Sequence, residues 1–316
     1  MIKNKKILVI GGTGALGKTL VKRYYDSNKI IVLSRDEHKH YHLQKEYPNI
    51  HSIIGDVKDK DSILQSLNEY KPDVVINTAA LKHVPICEDN PYESVKTNII
   101  GHRNLIDCIN LSNHKIETLM FISTDKACKP INVYGMCKAI SERLYVDFAN
   151  KQTDIKVVLC RYGNVLESTG SVIPFFKNLL NQGANSLPIT DERMTRFLIS
   201  LEESVDLIEW AFNHPNSHGN IVVPKLSSMK VTDIALEIGK SFNKQINLEI
   251  IGIRPGEKLH EEMVSLEESL RTKSFEKYFM ITDKVIHKDA WSFSSESVVM
   301  KSSQVGKFLK EKEVIQ

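Results

Sequence analysis

The feature that most constrains this chain is a regular alternation through its first half. Short β-branched runs (KILVIGG, KIIVLSR, NIHSIIGDV, VVINTAA, TLMFIST, KVVLCRYGNV) take turns with amphipathic stretches such as GKTLVKRYYDS, DKDSILQSLNEY and NIIGHRNLIDCINLS. Such alternation predicts βαβ units, and so an α/β fold with a doubly wound parallel sheet covered by helices on both faces. After Val165 the pattern loosens into loops, helices and a few strands, among them NIVV, INLEIIGI and YFMIT. The expectation is a sheet domain over 1–165 and a smaller C-terminal α/β domain, mainly 166–316, with about 197–224 packing back on the sheet. That second domain should cap the carboxyl edge of the sheet, where open α/β sheets bind ligands.

Charge and composition narrow the function. The 42 basic and 39 acidic side chains leave a formal charge of +3. That balance argues against bulk nucleic-acid or membrane binding, where a basic surplus is expected. No apolar run approaches the roughly 20 residues of a membrane span. MIKNKK reads as a solvated terminus, because a glycine-rich strand follows at once. A soluble, cytoplasmic protein is expected. Cys87, Cys108, Cys128, Cys137 and Cys160 are odd in number and lack CxxC pairing, so reduced thiols are expected, without a disulfide framework or zinc. His214 and His218 have HxxxH spacing but sit in NHPNSHG, a Pro/Gly-rich loop, so no metal is expected there.

The first strand runs into GGTGALG, with Gly11, Gly14 and Gly17 at GxxGxxG spacing and a helical segment behind them. Glycine permits the tight turn and a close backbone approach, and the helix N-terminus attracts a pyrophosphate. Thr13, Ala15 and Leu16 belong to the same loop, and a dinucleotide is the expected ligand. The second strand ends in LSRD. Arg35 can pair with a ribose 2′-phosphate, whereas Asp36 suits a free hydroxyl; Ser34, Arg35 and Lys39 together favour NADP over NAD. A solvated surface arginine remains the bland alternative. GDV offers Asp56 and Val57 after the third strand, with Asp56 placed to accept from the adenine amino group. NTAALK offers Thr78, Ala79, Ala80 and Lys82 after the fourth, and Thr97 completes the cofactor set.

The stretch STDKACKPINVYGMCK, residues 123–138, carries two acid–base pairs. Tyr134 and Lys138 are four apart and share a helix face. A tyrosine hydroxyl, with an ordinary pKa of about 10, is a poor base until nearby cations favour its phenolate. After a GxxGxxG start, this YxxxK resembles the short-chain dehydrogenase/reductase superfamily. Asp125 and Lys126, just upstream, on their own would cap a strand and pair with each other.

Several motifs in order make the resemblance narrower: GGTGALG, SRD, GDV, AALKHVPICEDNP, STDKA, INVYG, RYGNV, GSVIPFF, PITDERMTRF, VPK and IRPGEKLHEEM. Over nearly residues 5–265 the chain resembles the inverting UDP-N-acetylglucosamine 4,6-dehydratases, soluble Rossmann-type enzymes of L-sugar pathways. That resemblance implies a UDP-sugar substrate, NADP, and a homo-oligomer between dimer and hexamer. It implies that Tyr134, with Lys138 holding the cofactor ribose and lowering the tyrosine pKa, deprotonates the C4 hydroxyl as hydride passes to NADP, so that both residues also bind the cofactor. It further implies Lys126 as the C5 base and Asp125 as the acid for the leaving C6 hydroxyl, with Thr124 in the same catalytic set. A lysine acting as a base must be neutral, so a depressed Lys126 pKa is expected. Retaining dehydratases carry an Asp–Glu pair at this point, and simple 4-epimerases carry no such couple. A retaining dehydratase or a UDP-hexose 4-epimerase is the first alternative, and an idle NADP-binding regulator the second.

For the substrate, the resemblance implies Lys82, Lys126, Asn164, Thr169, Ser171, Thr190, Arg254 and Glu257. Lys82 could reach cofactor or sugar. Thr169 stands where the family commonly has an arginine, which puts one phosphate contact in doubt. Arg193 and Arg196 read equally as structural ion pairs or substrate contacts. His83 and His260 read as structural, and Tyr24 and Tyr25 as helix packing.

Overall fold

A computed structural model describes residues 1–166 and 170–315. Strands β1 (Lys6–Ile10), β2 (Lys29–Ser34), β3 (His51–Ile54), β4 (Val74–Asn77), β5 (Thr118–Ile122) and β6 (Lys156–Cys160) run parallel in the order β3-β2-β1-β4-β5-β6. The central ones are buried on both faces, which is why they read as continuous apolar runs and not as alternating ones. Helices α1 (Ala15–Tyr24), α2 (Glu37–Glu46), α3 (Lys60–Tyr70), α4 (Val84–Asp89), α5 (Pro91–Val95), α6 (Gly101–Leu111) and α7 (Val133–Lys151) fill the crossovers.

The helices divide between the two faces. Ile63 and Leu67 of α3, Leu105 and Ile109 of α6, and Tyr145 and Phe148 of α7 pack on Leu8, Val75, Leu119 and Phe121. Leu20 and Val21 of α1, Leu43 of α2, and Leu207 and Ile208 of helix Leu201–Asn213 pack on Val9, Val32, Ile76 and Met120. This is the expected Rossmann-type arrangement. Because the chain leaves β3 and returns to β4 on the other side of β1, the strand order reverses between β1 and β4, and a crevice opens beyond their carboxyl ends. Between α5 and α6 the helix passes through a π turn, Lys96–Ile100.

The return to the sheet is wider than expected. Ile221–Pro224 does pair parallel with β6, and Leu201–Asn213 lies against α1. Thr195–Ile199, however, forms a separate three-stranded sheet with Asn164–Val165 and Ser228–Lys230. Tyr278–Ile281 and Thr272–Ser274 instead extend the large sheet as antiparallel edge strands. The physical reason is an edge that needs cover: Ile221–Pro224 is fully buried, and an open edge with that composition would invite pairing with another chain. Arg161, 1% exposed, fixes the arrangement. Its guanidinium donates to Glu142 of α7 at 2.6 Å and to Glu268 of the turn Leu266–Ser269 at 2.8 Å.

A third core forms between helices Val172–Asn181, Val231–Ser241 and Ser302–Glu311, around Phe176, Leu187, Ile234, Ile238 and Leu309. Among the described residues no helix is long and apolar enough to cross a membrane.

Candidate active site

The crevice at the strand-order reversal holds a cleft of about 570 Å3. Its floor follows from the glycines. Gly11 has φ +79°, in the left-handed region, and a Cβ there would lie 2.8 Å from the Ala79 nitrogen, so only glycine lets the β1 and β4 loops touch. A Cβ on Gly17 would overlap the Gly12 backbone, so α1 starts hard against the loop. Gly14 caps α1 without a side chain, and no acidic residue stands in the first turn. The leading N–H groups therefore face the cleft with the positive end of the helix, a fit for a pyrophosphate.

All the expected cofactor residues come together there. Gly11, Thr13, Gly14, Ala15, Leu16, Gly17, Ser34, Arg35, Asp36, Lys39, Asp56, Val57, Thr78, Ala79, Ala80, Lys82 and Thr97 line the wall. Asp36 is already engaged: its carboxylate accepts from the Lys39 backbone N–H at 3.0 Å, capping α2, and pairs with the Lys39 ammonium at 3.2 Å. Those bonds hold its carboxyl below the usual range. Arg35 stays half exposed, 3.8 Å from Asp56.

The other end of the cleft is lined by Thr124, Lys126, Tyr134, Lys138, Asn164 and Ser171. A short 3-10 turn, Asp125–Ala127, follows β5 and is capped by Thr124. A Cβ on Gly135 would overlap the Lys126 carbonyl oxygen, so α7 and this turn meet at backbone distance. Both acid–base pairs are thereby held in one place. The N-terminus of α7 is capped by Asn132, which accepts from the Gly135 N–H at 2.7 Å and donates to the Gly256 carbonyl at 2.8 Å. Lys258 donates to the Cys128 carbonyl at 2.6 Å, so loop 254–258 clasps the segment at two points.

Electrostatics in the buried cluster differ from the sequence expectation in two places. The first is Lys126. Its ammonium lies 3.1 Å from Asp125, 3.3 Å from Glu261 and 3.5 Å from the Asn164 amide oxygen. Burial pushes its pKa down, but Asp125 and then Glu261 outweigh burial, and the amine is held above the ordinary lysine range instead of below it. The second is Tyr134. Burial raises its hydroxyl pKa, and the cation that opposes the rise is Lys126, not Lys138. Lys138 is 2% exposed, donates to the Ile122 carbonyl at 2.7 Å and lies over the Phe121 ring. Burial lowers it to about 7.

Asp125 is wholly buried and does not line the cleft. Its Oδ1 accepts from the Thr124 hydroxyl at 2.9 Å and from Lys126, while Oδ2 has no hydrogen-bond partner among the described residues. Burial raises its pKa, Lys126 lowers it and Glu261 raises it again. Thr124 and Lys126 thus stand between Asp125 and the cleft.

The substrate-side residues are only partly assembled. Lys82, Asn164 and Ser171 line the cleft, and burial lowers the Lys82 amine. Thr169 lies outside the described residues. Thr190, Arg254 and Glu257 do not line the cleft: Arg254 is exposed, and Glu257 sits 3.5 Å from Arg196. Arg193 is held by Asp191, and buried Arg196 donates to the carbonyls of Thr195, Lys258 and Leu259. His83, which read as structural, lines the cleft; a Cβ on Gly170 would overlap its ring. Glu261 is the residue that sequence reasoning missed. Its signal lies inside IRPGEKLHEEM, where the sequence reading names Arg254, Glu257 and His260 but not the glutamate that follows.

Comparison with known proteins gives the chain its relatives. A family profile described as "Polysaccharide biosynthesis protein" matches residues 7–283. This chain belongs to that family. The inverting UDP-N-acetylglucosamine 4,6-dehydratase of Campylobacter jejuni is 45% identical over 294 residues, which is 90% of this chain and 85% of the relative. A protein named UDP-glucose 4-epimerase from Rickettsia rickettsii is 38% identical over 291 residues, 89% of this chain and 84% of its own. Among solved structures, Pen from Bacillus thuringiensis superposes with a TM-score of 0.89 at 28% identity, over 99% of both chains.

Proposed function

We propose that this protein is an NADP-dependent, inverting UDP-N-acetylglucosamine 4,6-dehydratase, with UDP-2-acetamido-2,6-dideoxy-β-L-arabino-hexos-4-ulose as product. The observation that carries the reading is a lysine amine, Lys126, facing the cleft beside Tyr134 with a buried carboxylate behind it. A plain epimerase needs the tyrosine but has no work for that couple. On this reading residues 1–165 bind the cofactor and the later segments mainly bind the sugar nucleotide. Arg35, with Asp36 turned to its own helix, favours the 2′-phosphate of NADP.

NADP, when bound, supplies the hydride acceptor for C4 and the donor that returns hydride to C6. The chain supplies the proton chemistry. Tyr134 takes the proton from the C4 hydroxyl, favoured by the Lys126 cation. The resulting 4-keto group acidifies the C5 hydrogen. Lys126 must first lose its own proton, and Asp125, 3.1 Å away with a raised pKa, is the acceptor. That one transfer creates a neutral amine and a neutral carboxylic acid together. Lys126 then removes the C5 proton. The Asp125 proton passes through the Thr124 hydroxyl or Lys126 to the C6 hydroxyl, which leaves as water, and C5 finally regains a proton exchanged with solvent.

The test is incubation with UDP-N-acetylglucosamine in deuterated water, with NADP or NAD. Expected are one deuterium at C5, L-arabino stereochemistry, a preference for NADP, and no net nicotinamide reduction. Lys126→Ala should lose C5 deuteration while still binding the nucleotide. A 4-epimerised sugar without deuterium at C5 would sink the proposal and support the epimerase that one relative's name denotes.

A further inference from the structure

Glu261 has no place in the scheme above, yet it touches its central residue. It is 2% exposed and its Oε1 lies 3.3 Å from the Lys126 ammonium, on which Asp125 also sits. Two buried carboxylates therefore share one lysine. Among the described residues both keep one oxygen without a hydrogen-bond partner, Oδ2 of Asp125 and Oε2 of Glu261. The cations around them are not evenly divided. Lys258 lies 3.8 Å from Glu261, and Arg196, 3.5 Å from Glu257, also favours ionised Glu261. Asp125 pairs with the Lys126 ammonium and accepts from the Thr124 hydroxyl, and the Glu261 charge opposes its ionisation. The main chain of Glu261 is fixed as well, its N–H donating to the Ser295 hydroxyl at 2.9 Å and its carbonyl accepting from the Ser295 N–H at 2.7 Å.

Resting on the dehydratase reading, we propose that Glu261 is a positioning residue: it stays ionised and leaves Asp125 and Lys126 to pass one mobile proton between them. Like charges near one site cannot all be ionised cheaply, so the carboxylate with fewer cations takes the proton. Glu261 keeps Lys126 charged and aligned at rest, and it makes Asp125 the acceptor when the base is needed. Without its charge the lysine would be less basic and would lose one of the two carboxylates that hold it charged at rest.

The experiment compares the full-length protein with Glu261→Gln, measuring acetylation of Lys126 by limiting acetic anhydride at pH 9, read by peptide mass spectrometry. No sugar is needed, so this arm decides the inference even if the dehydratase reading fails. A loss of about one pKa unit raises the neutral fraction of the amine, and hence labelling, about tenfold. Lys258→Met, which removes a cation from the same cluster, should move labelling the other way. Glu261→Asp should restore labelling toward the native level. In the second arm, both limbs of the pH profile for C5 deuteration move to lower pH in Glu261→Gln. Unchanged labelling and unmoved limbs, with only a lower melting temperature, would show a merely structural glutamate and overturn the proposal. If Glu261→Gln does not fold, the sign of the Lys258→Met effect decides, and a rise or no change there counts against it.

Discussion

At the scale of single residues, the cleft was legible where chemistry is local and illegible where charges from distant segments meet. Tyr134 and Lys138 announce themselves by spacing, and every expected cofactor residue reached the cleft wall. The charge state of Lys126 could not be read from DK in STDKA. It depends on Glu261, which arrives from a different part of the chain. Lys138 leads to a prediction about stability. Its pKa is about 7 in the fold and its ordinary value is 10.5. Between these values the unfolded chain binds the proton and the fold does not, so stability rises with pH across that window. The penalty is complete below about pH 7 and gone above about 10.5. The cofactor-free Lys138→Met variant should therefore be more stable than the native protein at pH 7, on the order of 2 kcal/mol after loss of the Ile122 hydrogen bond. Urea melts at pH 7 and pH 10 check it; a gap that does not shrink with rising pH would refute the buried-amine account.

Elements were the most readable level. Strands β1 to β6 could be taken from apolar runs because a parallel sheet buried on both faces leaves such runs. The antiparallel edge strand Thr272–Ser274 was harder, being short and polar, whereas Tyr278–Ile281 was legible in YFMIT. What no periodicity shows is how closely two elements approach. Gly135 is the case in point, since its missing side chain lets α7 rest on the carbonyl of Lys126. Gly135→Ala forces helix and turn apart against backbone, not against a side chain that can rotate. We expect a loss of about 1–3 kcal/mol in urea unfolding. We also expect a fall in kcat of at least about tenfold, because a small misplacement between reacting groups is costly. Nucleotide affinity, measured by fluorescence titration, should change little, since the glycine loop is at the other end of the cleft. A variant with native kcat would show that the close approach serves packing alone.

The whole molecule is organised around Arg161, a residue in the RYGNV motif whose role was invisible without the fold. It ties β6 to α7 through Glu142 and to the late segment through Glu268, all of it away from water. Burial pushes the Glu268 carboxyl up, but Arg161 more than compensates and holds it at about 2. Its contribution is therefore present above the ordinary value of 4.5 and is lost as pH falls from there towards 2. Arg161→Met leaves two buried carboxylates without their cation and should cost about 3–5 kcal/mol at pH 7. The deficit should shrink at pH 3, where Glu268 without its cation can take up a proton; equal deficits at both pH values would count against the ion-pair explanation.

The same tie bears on how such a chain can be inherited. Ile221–Pro224, Tyr278–Ile281 and Thr272–Ser274 all thread back into the sheet begun by the first six strands. A single crossover near Val165 between two related genes would graft foreign edge strands and a foreign Glu268 partner onto this Arg161. Recombination at that junction would have to match both at once, so new sugar specificity in such a lineage should come by point changes along the cleft more readily than by exchange of whole C-terminal halves.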